Sequence, residues 1–148
     1  CKVPRSSKEI AEMFNISSTL MTRGIKRCQE IIFMNKKNKS RLMKSISTKP
    51  IDFIERYCNK LNISREMQQI GFKLSDRIKK LSILNENTPP SIAASIIYLL
   101  SIVYKLNISK DMICKQINIS NVTITKAVKK LSDEMYMKVL FIGLPNPS

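Results

Sequence analysis

SKDMICKQINISNVTITKAVKKL, residues 109–131, reads as two short helices around a tight turn. Ser109 is a good N-cap for the first, with Lys110 and Asp111 in the opening turn. Met112, Ile113 and the Gln116-Ile117 pair give that helix one apolar side. Asn118-Ile119-Ser120 interrupts the pattern, and Ser120 can cap a second helix running past Leu131. In the second helix Ile124, Val128 and Leu131 fall at i, i+4 and i+7, a single inward stripe. Val122, Thr125, Lys126 and Lys129 fall on another side, which is small and polar at first and cationic farther along. A recognition helix needs that order: short groups to enter a major groove, then lysines to meet phosphates. An ordinary surface helix with a solvated lysine face fits the same stretch.

Composition bears on that choice. The 148 residues carry 26 Lys and Arg against 11 Asp and Glu, a formal charge of +15. An excess of this size favours a polyanionic partner, nucleic acid first and an anionic membrane surface second. The hydrophobic fraction of 43% supports a real core and is too high for a disordered basic tail. The length suits one domain, or one and a part. Glycine is scarce and β-branched alternation is absent, so the chain is expected to be all-α.

Other chemistry is missing. There is no His, the commonest general base and metal ligand. Cys1, Cys28, Cys58 and Cys114 lie far apart with no C-x-x-C pair, which argues against a zinc site and for reduced, buried thiols. There is no Gly-rich phosphate loop and no constellation of acid, base and nucleophile, so no cofactor, metal or enzymatic activity is expected. No signal peptide precedes Cys1, and the chain does not begin with Met, which suggests a fragment of a longer protein. Asn-Ile-Ser recurs at Asn15, Asn62, Asn107 and Asn118. It matches a glycosylation acceptor formally, but each Ser sits where a helix should begin, so N-capping is the better account.

The decisive stretch has a second copy. Shifted by 103 positions without a gap, Ser6 meets Ser109 and Ile10 meets Ile113, and Asn15-Ile16-Ser17 meets Asn118-Ile119-Ser120. Met21 meets Ile124, Thr22 meets Thr125, Arg23 meets Lys126, and Lys26-Arg27 meets Lys129-Lys130. Ser6 and Glu9 have capping-box spacing, and a longer helix is expected from about Ser18 to Met34. The chain thus carries two copies of one helix-turn-helix unit. The apolar stripes of the first, Ile10 with Met13 and Met21 with Ile25, need cover.

Between the copies, residues 35–49 hold Lys36, Lys37, Lys39, Arg41, Lys44 and Lys49 and no acid, a basic linker. Pro50 then opens a helix with Ile51, Ile54, Cys58 and Leu61 expected inward. Ser64 caps another, with Met67, Ile70, Leu74, Ile78 and Leu81 expected inward and a basic outer face at Lys73, Arg77 and Lys80. NENTPP, residues 85–90, stops that helix, and Thr88 caps the next. IAASIIYLLSIVY, residues 92–104, is apolar nearly all round yet too short to span a bilayer, so it belongs at the centre of a bundle. Five helices are expected from Pro50 to about Tyr136, the helix-turn-helix forming the fourth and fifth.

TPPSIAASIIYL, then ISKDMI, then ISNVTITKAVKKL resembles the second cyclin-type repeat of the transcription factor TFIIB family. VPRSSKEIAEMFNISSTLMTRGIKRCQEI resembles the last two helices of that family's first repeat. The resemblance covers residues 2–136. It implies a cyclin-like five-helix repeat over residues 50–148, joined by the linker to the end of a first repeat over residues 1–34. The family's zinc ribbon and the first three helices of its first repeat have no counterpart in these residues.

The resemblance further implies a nuclear scaffold for transcription initiation by RNA polymerase II. Its partners would be promoter DNA, the TATA-binding protein and, mainly through other parts, the polymerase; no membrane partner is implied. By motif match, upstream DNA would be met by Val122, Thr123 and Thr125, with Lys126 and Lys129 near phosphates; Lys110 is a further expected DNA-binding residue. Downstream minor-groove DNA would be met by Val3, Pro4 and Arg5. One departure stands out: the family often carries Arg where this chain has Thr125, and Arg suits bidentate contact with guanine. The related factor of the polymerase III system shares these repeats. A cyclin-like module that binds only protein would lack the cationic stripe of Lys126 and Lys129.

Overall fold

Asn-Ile-Ser marks a junction between helices at each of its four occurrences in the computed structural model, which describes residues 4–34 and 48–145. Ser17, Ser64, Ser109 and Ser120 each accept a backbone N–H three residues on, at 3.2, 3.4, 3.2 and 3.3 Å. Asn15, Asn62 and Asn118 adopt left-handed backbone, with φ of 52°, 53° and 57°. Asn tolerates that conformation because its short side chain bonds locally, so it ends one helix while the Ser two residues later starts the next. Before Ile108 the left-handed residue is Lys105 instead (φ 50°).

The chain divides into two compact units, Cys1–Thr48 and Lys49–Ser148. In the first, α1 (Ser7–Met13) leads to α2 (Ser18–Met34). The Ser6–Glu9 capping box forms in both directions: Glu9 N–H reaches Ser6 Oγ at 3.2 Å, and Ser6 N–H reaches Glu9 Oε2 at 2.8 Å. Ala11 is buried, and α2 has no buried residue. Met13, Phe14, Leu20, Ile31, Phe33 and Met34 are exposed, whereas Ile10, Met21 and Ile25 of the expected stripes are half-buried.

The second unit holds α3 (Pro50–Lys60), α4 (Arg65–Lys80), α5 (Pro89–Val103), α6 (Lys110–Ile117), α7 (Asn121–Leu131) and α8 (Glu134–Phe141). Helix α5 packs against α3, α4, α6 and α7, the central place its all-round apolarity requires. Ala93, Ala94, Ile96, Ile97 and Leu100 are fully buried. Gly71 on α4 lets that helix come close: a Cβ there would meet Ile54 at 3.2 Å and Leu100 at 3.5 Å.

The inward faces differ in detail from the expected stripes. Phe53 and Tyr57 are buried beside Ile54 and Cys58 on α3, their rings 5.7 Å apart, while Ile51 is only half-buried. A helix that meets partners on two sides buries a wider arc than one i, i+4, i+7 row. Each such large side chain contributes about 1.5–3 kcal/mol by leaving water. Leu81, just after α4, is 39% exposed and Met112 on α6 is 46% exposed, so neither belongs to the core. Thr88 occupies the N-cap of α5, but its hydroxyl pairs with Ser91 Oγ at 2.8 Å instead of capping the backbone.

Helix α7 does not run past Leu131. It stops there, Asp133 Oδ1 accepts the Met135 N–H at 3.1 Å, and α8 begins as a sixth helix of the unit. Arg77 Nη1 donates to the Leu140 carbonyl, which ties α8 to α4, and Leu140 and Leu144 complete the core.

Candidate nucleic-acid interface

The two helix-turn-helix copies agree to the level of single hydrogen bonds. Helices α1 and α6 start 103 residues apart, as do α2 and α7. Thr22 Oγ1 donates to the Ser18 carbonyl at 2.8 Å; its counterpart Thr125 donates to the Asn121 carbonyl at 2.9 Å. The turn between α6 and α7 has one inward anchor on each side, Ile117 and Ile124, both buried, with Ile119 half-buried between them.

Helix α7 turns Ile124, Ala127, Val128 and Leu131 into the core. Ala127 widens the expected stripe; it lies beside Ile124 and Val128, where its small side chain suits close approach to α5. The opposite face presents Val122, Thr125, Lys126 and Lys129, all exposed, with Val122 61% exposed. Thr123 is half-buried, and its hydroxyl pairs with Ser120 Oγ at 2.7 Å. It therefore serves the helix start more than the outer face.

Lys110 reaches this face from α6. Its Nζ lies 3.1 Å from Thr125 Oγ1 and 5.8 Å from the centre of the Tyr98 ring on α5. Asn121 Nδ2 donates to Asp111 Oδ1 at 3.3 Å, and Asn121 Oδ1 stands 3.4 Å from Thr125 Oγ1. One polar network thus crosses the turn from Asp111 through Asn121 and Thr125 to Lys110. Helical spacing places Asn121 next to Thr125, but the sequence alone does not say that both meet α6. Nearby, Lys60 Nζ donates to the Gln116 carbonyl at 3.4 Å and fixes the end of α6 against α3. The Cys114 thiol is pushed up by burial and by the Asp111 charge, with Lys110 opposing.

The other expected contacts lie in the first unit. Pro4 is half-buried and Arg5 exposed just before α1, and Val3 lies outside the described residues. Among the described residues no group of three or more His, Cys, Asp or Glu is placed to hold a metal ion. No described helix is long and apolar enough to cross a membrane.

A buried central helix followed by a capped helix-turn-helix is the architecture anticipated from the sequence resemblance. The family model for the transcription factor TFIIB repeat matches residues 43–134. The chain belongs to the TFIIB repeat family. A transcription initiation factor IIB-like protein of Acanthamoeba polyphaga mimivirus is 33% identical over 131 residues, covering 88% of this chain and 28% of the relative. Transcription initiation factor IIB of Methanothrix thermoacetophila is 26% identical over 140 residues, covering 95% of the chain and 39% of the relative. The factor of the same name from Encephalitozoon cuniculi is 32% identical over 130 residues, covering 86% and 38%. The chain spans well under half the length of these TFIIB relatives. The matched residues take in α3 to α7 and end at the first residue of α8.

Proposed function

We propose that this chain is the promoter-binding core of a general transcription initiation factor of the TFIIB type. It engages the TATA-binding protein and the DNA that flanks the TATA element, and it serves RNA polymerase II in the nucleus. Residues 1–34 are the last two helices of a first cyclin-like repeat, residues 35–49 a basic linker, and residues 50–148 the second repeat. The observation that carries this reading is the outer face of α7, where Val122 and Thr125 precede two exposed lysines on a helix packed against α5. Small groups at the start suit groove entry, and Lys126 and Lys129 suit the flanking phosphates. Lys110 adds a third cation to the same face. In the first unit, Val3, Pro4 and Arg5 take the downstream minor groove. The factor IIB name of the relatives supports this assignment over the polymerase III counterpart.

Binding to a TATA-containing duplex at several salt concentrations, with and without the TATA-binding protein, tests the proposal. Affinity should rise when that protein is present, and its logarithm should fall linearly with log salt. Binding that needs no DNA, or no binding to either partner, would reject it.

A further inference from the structure

The outer face of α7 has no uncharged donor free in its middle, beside Lys126. The uncharged polar side chain of α7 there is Thr125, and its hydroxyl hydrogen is directed at the Asn121 carbonyl 2.9 Å away. On its acceptor side stands Lys110 Nζ at 3.1 Å. Whatever approaches Thr125 therefore meets an ammonium first. That ammonium is held in place twice, by the threonine oxygen and by the face of Tyr98 at 5.8 Å. A lysine fixed at both points has lost much of the freedom that makes most surface lysines indifferent to sequence.

We propose that Lys110, delivered from α6, is the base-reading residue of this helix-turn-helix, and that the base it takes is guanine. One of its three N–H donors is spent on Thr125, which leaves two for the DNA. Guanine offers two adjacent acceptors in the major groove, N7 and O6. Adenine sets a donor beside its N7, thymine pairs one acceptor with a methyl group, and cytosine presents a donor. Two donors on a fixed ammonium match guanine alone. Val122, one turn away and exposed, supplies apolar contact beside it. The first copy of the motif lacks this device, because the residue matching Lys110 is Ser7.

This inference rests on the DNA-binding reading above, and its test separates the two. The chain, Lys110→Met, Thr125→Val and Lys129→Ala are titrated, with the TATA-binding protein present, against duplexes randomised upstream of TATA. A second set replaces each upstream guanine by 7-deazaguanine. Thermal melting checks that each variant is folded. The parent should prefer guanine at one upstream position by about tenfold, as expected for a good base contact. Lys110→Met should abolish the preference, deazaguanine at that position should weaken it by removing one of the two acceptors, and deazaguanine should have no further effect on Lys110→Met. Thr125→Val should weaken it by freeing the lysine. If Lys110→Met weakens all sequences alike and lowers the salt slope, Lys110 is a phosphate contact and the inference falls while the DNA-binding reading stands. The inference falls in the same way if the parent binds with no guanine preference. If the parent binds none of the duplexes, both fall.

Discussion

Ile54 Cγ2 lies 3.2 Å from the point where a Cβ on Gly71 would stand, so α3 and α4 meet at a glycine. Leu100 and Ile96 of the central helix stand just behind it, at 3.5 and 3.7 Å. Alanine in a helix is favoured over glycine by about 1 kcal/mol, but overpacking a rigid core costs about 1–3 kcal/mol. Ile54 is fully buried and branched at Cβ, so it has little room to yield. Gly71→Ala should therefore lower stability by about 1 kcal/mol in urea titration, the packing cost exceeding the helix gain. Gly71→Leu should not fold. Gly24, with nothing within 4 Å, is the control: Gly24→Ala should raise helix content. A Gly71→Ala protein more stable than the parent would mean that α3 and α4 can part at little cost.

Ile97 is enclosed by other side chains and has no surface in contact with water. Ile97→Asp would place a charge among apolar groups with no partner, a cost of several kcal/mol that a marginally stable domain does not survive. The variant should lose cooperative melting, not DNA binding alone. A melting curve like the parent's would remove α5 from the centre of the unit.

Ser120 starts α7 by accepting the Thr123 N–H at 3.3 Å. Ser120→Ala should cost about 1 kcal/mol and speed amide exchange at the first turn of α7. Ser120→Asp should restore both, because a carboxylate also caps and favours the positive end of the helix. Equal exchange in the alanine variant and the parent would show that the turn, not the cap, holds this end.

What the sequence discloses follows from how local each cause is. The Asn-Ile-Ser junctions are legible because a left-handed Asn and a capping Ser act within four residues of the chain. The central place of α5 is legible because a helix apolar on all sides, and too short for a bilayer, can be covered only by other helices. Phe53 and Tyr57 are not, because a single stripe describes a helix with one neighbour and α3 has more than one. The end of α7 and the start of α8 are hidden because Asp133 caps a helix so soon after Leu131, without a Pro or Gly between them. In the candidate site, the exposed face of α7 can be read from helical spacing. The link from Lys110 to Thr125 cannot, since it depends on how two helices cross.

Cys58 is fully buried on α3, and burial pushes its thiol from the ordinary 9.0 up to about 12. Folding thus favours the neutral thiol. The corresponding stability is complete below the unfolded value near 9 and is lost as pH rises from there towards 12. Unfolding free energy should fall over that window, and Cys58→Ala should fall less steeply whatever its starting stability. In the folded protein Cys28, which is exposed, should react with a thiol reagent at neutral pH, whereas Cys58 should react only on unfolding. Equal reaction rates for the two in native buffer would place Cys58 outside the core.

Lys129 lies two turns along α7 from Val122 and is exposed on the same face. Among the hydrogen bonds described on this face, none orients it as the Thr125 oxygen orients Lys110. On the proposed DNA-binding reading, a cation at that distance from the helix start is expected to meet phosphate, and phosphate contacts carry no sequence information. Lys129→Ala should weaken binding by a similar factor on every upstream sequence. It should also reduce the slope of log affinity against log salt by about one unit, the effect of releasing one fewer counterion. Base preference should stay that of the parent. If Lys129→Ala instead changes which base is preferred, α7 lies deeper in the groove than its small N-terminal residues suggest, and the division of labour between Lys110 and Lys129 is reversed.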